Sequence, residues 1–319
     1  MSSAIATFSP ASEVADLSQD QVAQRLEDYA ILSEGAFSAN TKRAVASDTR
    51  IFTAWCADHG HHAGPPCAPE VVAAFVDAQA QTKAPATVGR YVSSLDHLHR
   101  AIGALPVGPS NPVKLALRRL RRAKGTDQAQ AAPMRRSDIE TALAGMGSSL
   151  IELRDAALLS LAYDSLARAS ELVALNVSDV QHGGNGATVY IARSKTDQDG
   201  AGQYRFVAPD TFARVMAWIT EARLDPTAPL FIPMSHAGQG ERITPRDVSR
   251  IYQRRVGKDF SAHSTRVGNA VEQREAGIPT GAIAQSGGWK GEAMPARYTR
   301  KAAAQESGAA RLARSQGRA

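Results

Sequence analysis

The residues most able to do chemistry lie in the second half of the chain. Arg168 falls in an otherwise apolar helical stretch, and Glu171, three residues later on the same helical face, is placed to orient its guanidinium. An arginine among apolar neighbours must be paired or must face a ligand, because leaving it dry and unpaired is very costly. Lys195 lies in the loop of a predicted hairpin, where it can carry a cation to a substrate.

Further along the chain, His263 and Arg266 place an imidazole and a guanidinium one helical turn apart. Trp289 follows two glycines, and Tyr298 lies in a short segment between two arginines. Each of these residues also has an ordinary structural explanation, such as a surface ion pair, a packing residue or a solvated loop cation. Taken singly, none of them establishes a function.

The charge distribution points to an anionic partner. The chain has 37 Lys and Arg against 31 Asp and Glu, a net charge of +6. Its bases are concentrated between residues 113 and 136, where Asp127 is the only acid. The basic residues of this band are Lys114, Arg118, Arg119, Arg121, Arg122, Lys124, Arg135 and Arg136. Such a band in an otherwise balanced chain predicts a polyanion partner, most simply nucleic acid.

Composition excludes several classes of protein. With 43% hydrophobic residues in 319, the chain can build real cores, and its length predicts two domains. No apolar run approaches the roughly 18 residues of a membrane span, and the N-terminus lacks the pattern of a secretory signal. Cys56 and Cys67 form no CxxC pair, which argues against a disulfide scaffold or a zinc finger. We expect a soluble protein in a reducing compartment.

The predicted architecture is mainly α, with two domains. A helical first domain, residues 1–125, precedes a polar linker at 126–133 and a second, α+β domain at 134–319. Helices are predicted over residues 12–33, 41–56, 69–80, 85–102 and 112–124 from apolar periodicity and proline or cap signals. Ser137 and Glu140 predict a capping box that opens the second domain. Its one small antiparallel sheet is predicted from strands at 187–194 and 204–209, and a last short helix at 303–316.

Together and in this order, the residues Arg168, Lys195, His263, Arg266, Trp289 and Tyr298 resemble the catalytic signature of the tyrosine recombinases, the phage integrase family. The spacings also match, with 23 positions from Arg266 to Trp289 and 9 from Trp289 to Tyr298. The resemblance extends from about residue 12 to 315. It includes the segments 37–41, 55–56 and 306–312.

The resemblance implies DNA cleavage and rejoining through a 3′-phosphotyrosyl intermediate, without ATP or a metal. It makes Tyr298 the nucleophile and Lys195 the general acid for the leaving 5′ oxygen. Arg168, oriented by Glu171, and Arg266 would clamp the phosphate, while His263 and Trp289 add hydrogen bonds. We expect the cationic cluster to favour the phenolate of Tyr298.

The resemblance also implies that two domains clamp a DNA duplex, and that the terminal helix docks on an adjacent subunit of a cyclic homotetramer. Arg246 is the candidate for reading a base. The full set of candidate DNA contacts is Lys42, Arg43, Arg50, Arg90, Arg118, Arg119, Arg121, Arg122 and Arg246. The expected location is the bacterial cytoplasm, on DNA. The alternatives are a monomeric nicking–closing enzyme like the type IB topoisomerases, and a DNA-binding regulator without catalysis.

Overall fold

The computed structural model describes residues 17–127, 129–193, 201–234 and 241–318. They form two compact units, the first within Met1–Gln128 and the second within Ala129–Ala319. The fold is mainly helical with one small antiparallel sheet, as the sequence predicts. Among the described residues, no helix combines the length and apolarity needed to cross a membrane.

The described part of the first unit is a bundle of helices. They are α1 (Gln19–Leu32), α2 (Ala39–Asp58), α3 (Pro69–Gln79), α4 (Pro85–Ala101) and α5 (Asn111–Lys124). Ser18 and Ser38 cap α1 and α2 by accepting from backbone N–H groups, and prolines occupy the first positions of α3 and α4. The predicted start of α1 near residue 12 is wrong, because Ser18 is extended and caps a helix that begins at Gln19.

The core of the first unit is apolar. Phe52 of α2 and Phe75 of α3 pack edge to face with ring centroids 5.1 Å apart, and both side chains are fully buried. On α5, Leu120 faces this core together with Val113 and Ala116, while the arginines of the helix are exposed. The helix is therefore divided into an apolar face that packs and a cationic face that meets solvent.

The described part of the second unit contains more elements. Its helices are α6 (Arg136–Ala144), α7 (Leu150–Ser165), α8 (Ala169–Leu172), α9 (Pro209–Glu221), α10 (Pro245–Arg255), α11 (Ser264–Glu275), α12 (Thr280–Gly287), α13 (Ala293–Tyr298), α14 (Arg300–Gln305) and α15 (Gly308–Ser315). A 3₁₀ turn (Val177–Asp179) leads into the antiparallel sheet β1 (Val180–Gly183), β2 (Gly186–Ile191) and β3 (Gln203–Val207), in that order. The central helix α7 is buried around its circumference.

Several boundaries differ from those predicted. The strand β1 was missed because its residues VQHG are few, largely polar and without alternation. The predicted capping box of Ser137 and Glu140 is wrong: α6 begins two residues earlier, where the backbone N–H of Arg135 donates to the Asp138 carboxylate at 2.8 Å. The predicted terminal helix at 303–316 is two helices, because α14 ends at Gln305 and Ser307 caps a new helix, α15.

The segment that begins the second unit is packed tightly on α11. Met134 is fully buried, and its N–H donates to the carbonyl of Ser264 at 3.0 Å. A Cβ on Gly268 would lie 1.7 Å from the Met134 carbonyl oxygen, so only glycine permits this approach. Upstream, the Gln130 amide donates to the carbonyl of Arg297 at 2.7 Å. The start of the unit is thus attached to the helix that carries Tyr298.

Candidate active site

A left-handed turn at the end of α7 positions Arg168. Leu166 has φ 48° and ψ 29°, which stops the helix, and Arg168 is extended just before α8. The Glu171 carboxylate, 3% exposed, accepts from the Arg168 backbone N–H at 2.8 Å and from its Nη1 at 2.5 Å. Arg168 thus precedes its helix instead of lying within it, and the buried carboxylate of Glu171 holds both its backbone and its guanidinium.

Arg266 lies beneath the surface of the site. Its side chain is fully buried on the first turn of α11, and its two terminal nitrogens donate to the carbonyls of Leu166 and Gly287. The ring of Trp289 covers the guanidinium, with 4.5 Å from its carbon to the ring centre. Burial and the nearby charge of Arg168 lower the pKa of Arg266 to about 9.

Tyr298 ends α13 with its hydroxyl directed at an imidazole. The Tyr298 Oη lies 2.8 Å from Nε2 of His263, the residue that precedes α11, and the Trp289 ring packs edge-on against the phenol. Burial raises the pKa of Tyr298 above its usual value and outweighs the lowering by Arg266 and Arg168. The arginines favour the phenolate, as expected, but burial outweighs them, so the phenol keeps its proton and a proton acceptor is needed.

His263 is the candidate for this proton acceptor, because its imidazole is uncharged at neutral pH. Desolvation of its ring, followed by the charges of Arg266 and Arg168, lowers its pKa below the usual 6.5. The imidazole is therefore neutral at neutral pH and can take a proton. Since His263 faces Tyr298 directly, the two side chains form a hydrogen-bonded pair of a phenol and a neutral base.

The structure brings together six of the seven predicted side chains: Arg168, Glu171, His263, Arg266, Trp289 and Tyr298. Lys195 lies outside the described residues. Within the ranges that are described, no three His, Cys, Asp or Glu side chains are grouped as metal ligands would be.

One buried cation of this region was not predicted. Arg205 of β3 is 3% exposed, and its Nη1 donates to the carbonyls of Ser165 and Leu166 at 3.0 and 3.3 Å. Its Nη2 lies 3.8 Å from the carboxylate of Glu171. Strand alternation was the available signal, because it places Arg205 on the same inward face as Val207.

The predicted DNA-contact residues are all exposed. Two of them already have carboxylate partners, since Arg90 pairs with Asp48 at 2.8 Å and Arg119 with Asp77 at 2.5 Å. Arg246 is exposed on the first turn of α10. The others lie on α2 and α5: Lys42, Arg43, Arg50, Arg118, Arg121 and Arg122.

Comparison with known proteins places this site in a family. The profile of the phage integrase family matches residues 133–305, more than half of the chain. The chain is 27% identical to the recombinase Cre of Escherichia phage P1, over 89% of this chain and 90% of that protein. It is 29% identical to an integrase/recombinase XerD homolog of Selenomonas ruminantium, over 81% of each chain.

Solved structures share the fold. XerH site-specific recombinase on its palindromic difH substrate superposes with a TM-score of 0.60 at 16% identity, over 78% of this chain and 74% of that chain. A lambda integrase dimer bound to a core site gives 0.58 at 16%, over 87% and 76%. The Tn1549 transposon integrase in complex with a circular intermediate DNA gives 0.62 at 15%, over 90% and 99%.

The site and the profile match define a DNA strand-transferring enzyme. The chain belongs to the phage integrase family, the tyrosine recombinases, which act in site-specific recombination.

Proposed function

We propose that this chain is a Cre-like site-specific recombinase that exchanges strands between two DNA target sites through a 3′-phosphotyrosyl intermediate on Tyr298. The observation that carries the proposal is the 2.8 Å hydrogen bond between Oη of Tyr298 and Nε2 of His263, beside Arg168 and Arg266. A phenol, a base and two guanidiniums supply what a phosphodiester transesterification requires.

In the cleavage step, His263 Nε2 accepts the phenolic proton as the Tyr298 oxygen attacks the scissile phosphorus, and the bond from phosphorus to the 5′ oxygen breaks. The leaving oxygen takes a proton from Lys195, the general acid that the family resemblance assigns. Attack by a 5′ hydroxyl on the phosphotyrosyl bond reverses these transfers and rejoins a strand. Phosphoester bonds are exchanged one for one, so neither ATP nor a metal is required.

Two arginines would neutralise the negative charge of the phosphate, and one of them is covered by a tryptophan ring. Arg168 is half-buried and held by Glu171, while Arg266 is stacked under the ring of Trp289. We infer that the Trp289 ring moves aside as the phosphate enters. Its indole N–H then donates to a phosphate oxygen, and the cation–π contact is replaced by an ion pair between Arg266 and the phosphate.

DNA binding is assigned to the exposed lysines and arginines. The arginines of α5 and the cations of α2 would contact phosphates, which contributes affinity without sequence information. Arg246, on the first turn of α10, would read a base edge, with guanine as the usual partner of an arginine fork. The relatives in the solved complexes bind DNA, which supports this assignment.

The test of catalysis is a covalent adduct. The target is first selected as a bound duplex from a random DNA pool, and the protein is then incubated with a nicked form of that duplex. We expect a protein–DNA adduct stable to denaturation, with Tyr298→Phe abolishing it while retaining binding. Tyr204→Phe is the matched control, since Tyr204 is an exposed tyrosine of the same unit, 62% accessible. An adduct that persists in Tyr298→Phe would overturn the nucleophile assignment.

The same protein distinguishes the two alternatives. Relaxation of supercoiled plasmid that lacks the selected target would favour the topoisomerase-like activity. Binding without any adduct in the wild-type protein would favour the catalytically inactive regulator. Products recombined between two target-bearing duplexes are expected of the recombinase alone.

Assembly is assigned to α15. This helix has eight residues and exposes Leu312 (55%), so it needs a partner surface to be stable. We propose that it docks on the adjacent subunit of a homotetramer. A chain ending at Glu306 retains the buried Ala302 of α14 and should bind and cleave one site without forming the tetramer. Recombining tetramers of that shortened chain would contradict the proposal.

A further inference from the structure

Arg205 is a charged side chain where the fold predicts an apolar one. It lies on β3 opposite Val189 of β2, on the sheet face that is buried. An arginine there must satisfy its donors inside the protein, because an unpaired buried guanidinium is strongly destabilising. Its two terminal nitrogens are directed at the active site.

The first contact of Arg205 is the turn that leads to Arg168. Its Nη1 donates to the carbonyls of Ser165 and Leu166, the two residues at which α7 ends. Leu166 is in the left-handed conformation, which is unusual for a branched apolar residue. The same Leu166 carbonyl also accepts from Arg266. One carbonyl in a strained turn therefore receives two buried arginines.

The second contact of Arg205 is electrostatic. The Glu171 carboxylate, which holds Arg168 at 2.5 Å, lies 3.8 Å from Arg205 Nη2. A single buried carboxylate thus faces two guanidiniums, and removing one of them changes how it holds the other.

The third contact of Arg205 is the turn before Trp289. A Cβ added to Gly288 would lie 2.3 Å from Arg205 Nη2, so the guanidinium packs directly on this backbone. Gly288 has φ +60°, which suits glycine at the end of α12. Arg205, a residue of strand β3, therefore contacts both the turn that leads to Arg168 and the turn that leads to Trp289.

We infer that Arg205 is a positioning residue of the active site, which orients Arg168 and Arg266 toward the scissile phosphate by fixing the Leu166 turn and the Glu171 carboxylate. The inference rests on the proposed function. Arg205 does not touch the phosphate in this assignment; it acts through the two arginines that do. Its loss should therefore impair neutralisation of phosphate charge more than binding of the duplex.

The test uses single-turnover adduct formation by the full chain on two duplexes. One has an ordinary scissile phosphate. The other has a methylphosphonate, in which a methyl group replaces one non-bridging oxygen, so that the linkage is uncharged and depends less on both guanidiniums. We expect Arg205→Met to slow cleavage of the phosphate by about 10- to 100-fold, the usual range for an outer partner of a functional group. The slowing on the methylphosphonate should be much smaller.

Arg154→Met is the matched control. Arg154 is equally buried, at 5%, and bonds to the Asp155 carboxylate and the Ile232 carbonyl away from the site. This variant should lower the melting temperature yet leave the ratio of the two cleavage rates as in the wild type. Arg205→Lys, which keeps a charge but has one donor nitrogen instead of three, should fall between wild type and Arg205→Met. If Arg205→Met does not fold, the two cleavage rates are compared in Arg205→Lys instead.

The outcomes separate the two proposals. Absence of an adduct in the wild-type protein would overturn the proposed function. A wild-type adduct with Arg205 variants slowed equally on both duplexes, or not slowed, would overturn the positioning role and leave the proposed function intact.

Discussion

The two units place their cations differently. In the described part of the first unit, no lysine or arginine is buried, and the buried polar side chains are Asp48, Ser94 and His99. In the second unit, Arg154, Arg205 and Arg266 are at most 5% exposed. In the described residues, the first unit thus keeps its lysines and arginines out of its core, whereas the second unit buries three arginines.

The difference follows from what each charge must do. Exposed cations attract a polyanion at long range, are screened by salt and tolerate exchange of one for another. Buried guanidiniums are costly to desolvate, so each needs acceptors at defined positions. Arg266 and Arg205 find theirs in the backbone carbonyls of Ser165, Leu166 and Gly287. A buried cation is therefore held in one geometry, which suits chemistry at one phosphorus atom.

Among the cations, the largest expected effect is at Arg168. In the proposed mechanism Arg168→Ala removes a guanidinium that contacts the phosphate and leaves Glu171 with Arg205 alone, so single-turnover cleavage at saturating DNA should fall by about 10²- to 10³-fold. Replacing the exposed Arg121 of α5 by alanine should instead weaken binding only. Cleavage by Arg168→Ala at the wild-type rate would contradict different roles for the cations of the two units.

Packing should differ between the units at two helical glycines. A Cβ on Gly268 would collide with the Met134 backbone, so Gly268→Ala should destabilise the second unit by about 1–3 kcal/mol or more. Gly89 of α4 has nothing within 4 Å, so Gly89→Ala should stabilise the first unit by about 0.5–1 kcal/mol. Thermal melting of the full chain measures both. Equal shifts of the same sign would contradict this contrast.

The pH dependence of cleavage should report His263. Its pKa is lowered, so the neutral form that accepts a proton persists as pH falls to the usual histidine value of 6.5, and the rate should be flat from neutrality to that pH. Below the lowered pKa the rate should drop about tenfold per pH unit, because one proton blocks the base. His263→Asn should slow cleavage and remove this inflection. An inflection that survives would assign the base elsewhere.

The smallest effect is expected for the basic face of α5. Arg121 and Arg122 are exposed, and changing both to glutamine should reduce the slope of log K against log salt by about 1.8 if each contacts one phosphate. The comparison is a binding isotherm at several salt concentrations. An unchanged slope would show that this face does not meet the DNA backbone.

Local signals in the sequence predicted much of the fold. Proline at the first positions of α3 and α4 marks helix starts that depend only on neighbouring backbone groups. The strand β1 was not predictable in this way, because its polar residues become a strand only by pairing with β2.

In the candidate site, too, some features could be predicted from the sequence and others could not. The types and order of Arg168, His263, Arg266, Trp289 and Tyr298 can be read from the chain, since spacing and chemistry are properties of the sequence. The burial of Arg266 under Trp289 and the raised pKa of Tyr298 could not be predicted from the sequence, because both depend on desolvation by residues distant in sequence.

The sequence by itself determined that this protein has the side chains for phosphoryl transfer, a basic surface helix and a mainly helical architecture. Only the tertiary structure decided which donors face which acceptors: that Arg205 bonds the turn at Leu166, that Glu171 serves two guanidiniums, and that Tyr298 meets His263. The physical reason is that a buried charge is defined by its acceptors. Those acceptors are backbone carbonyls and carboxylates that only the packed chain brings within hydrogen-bonding distance.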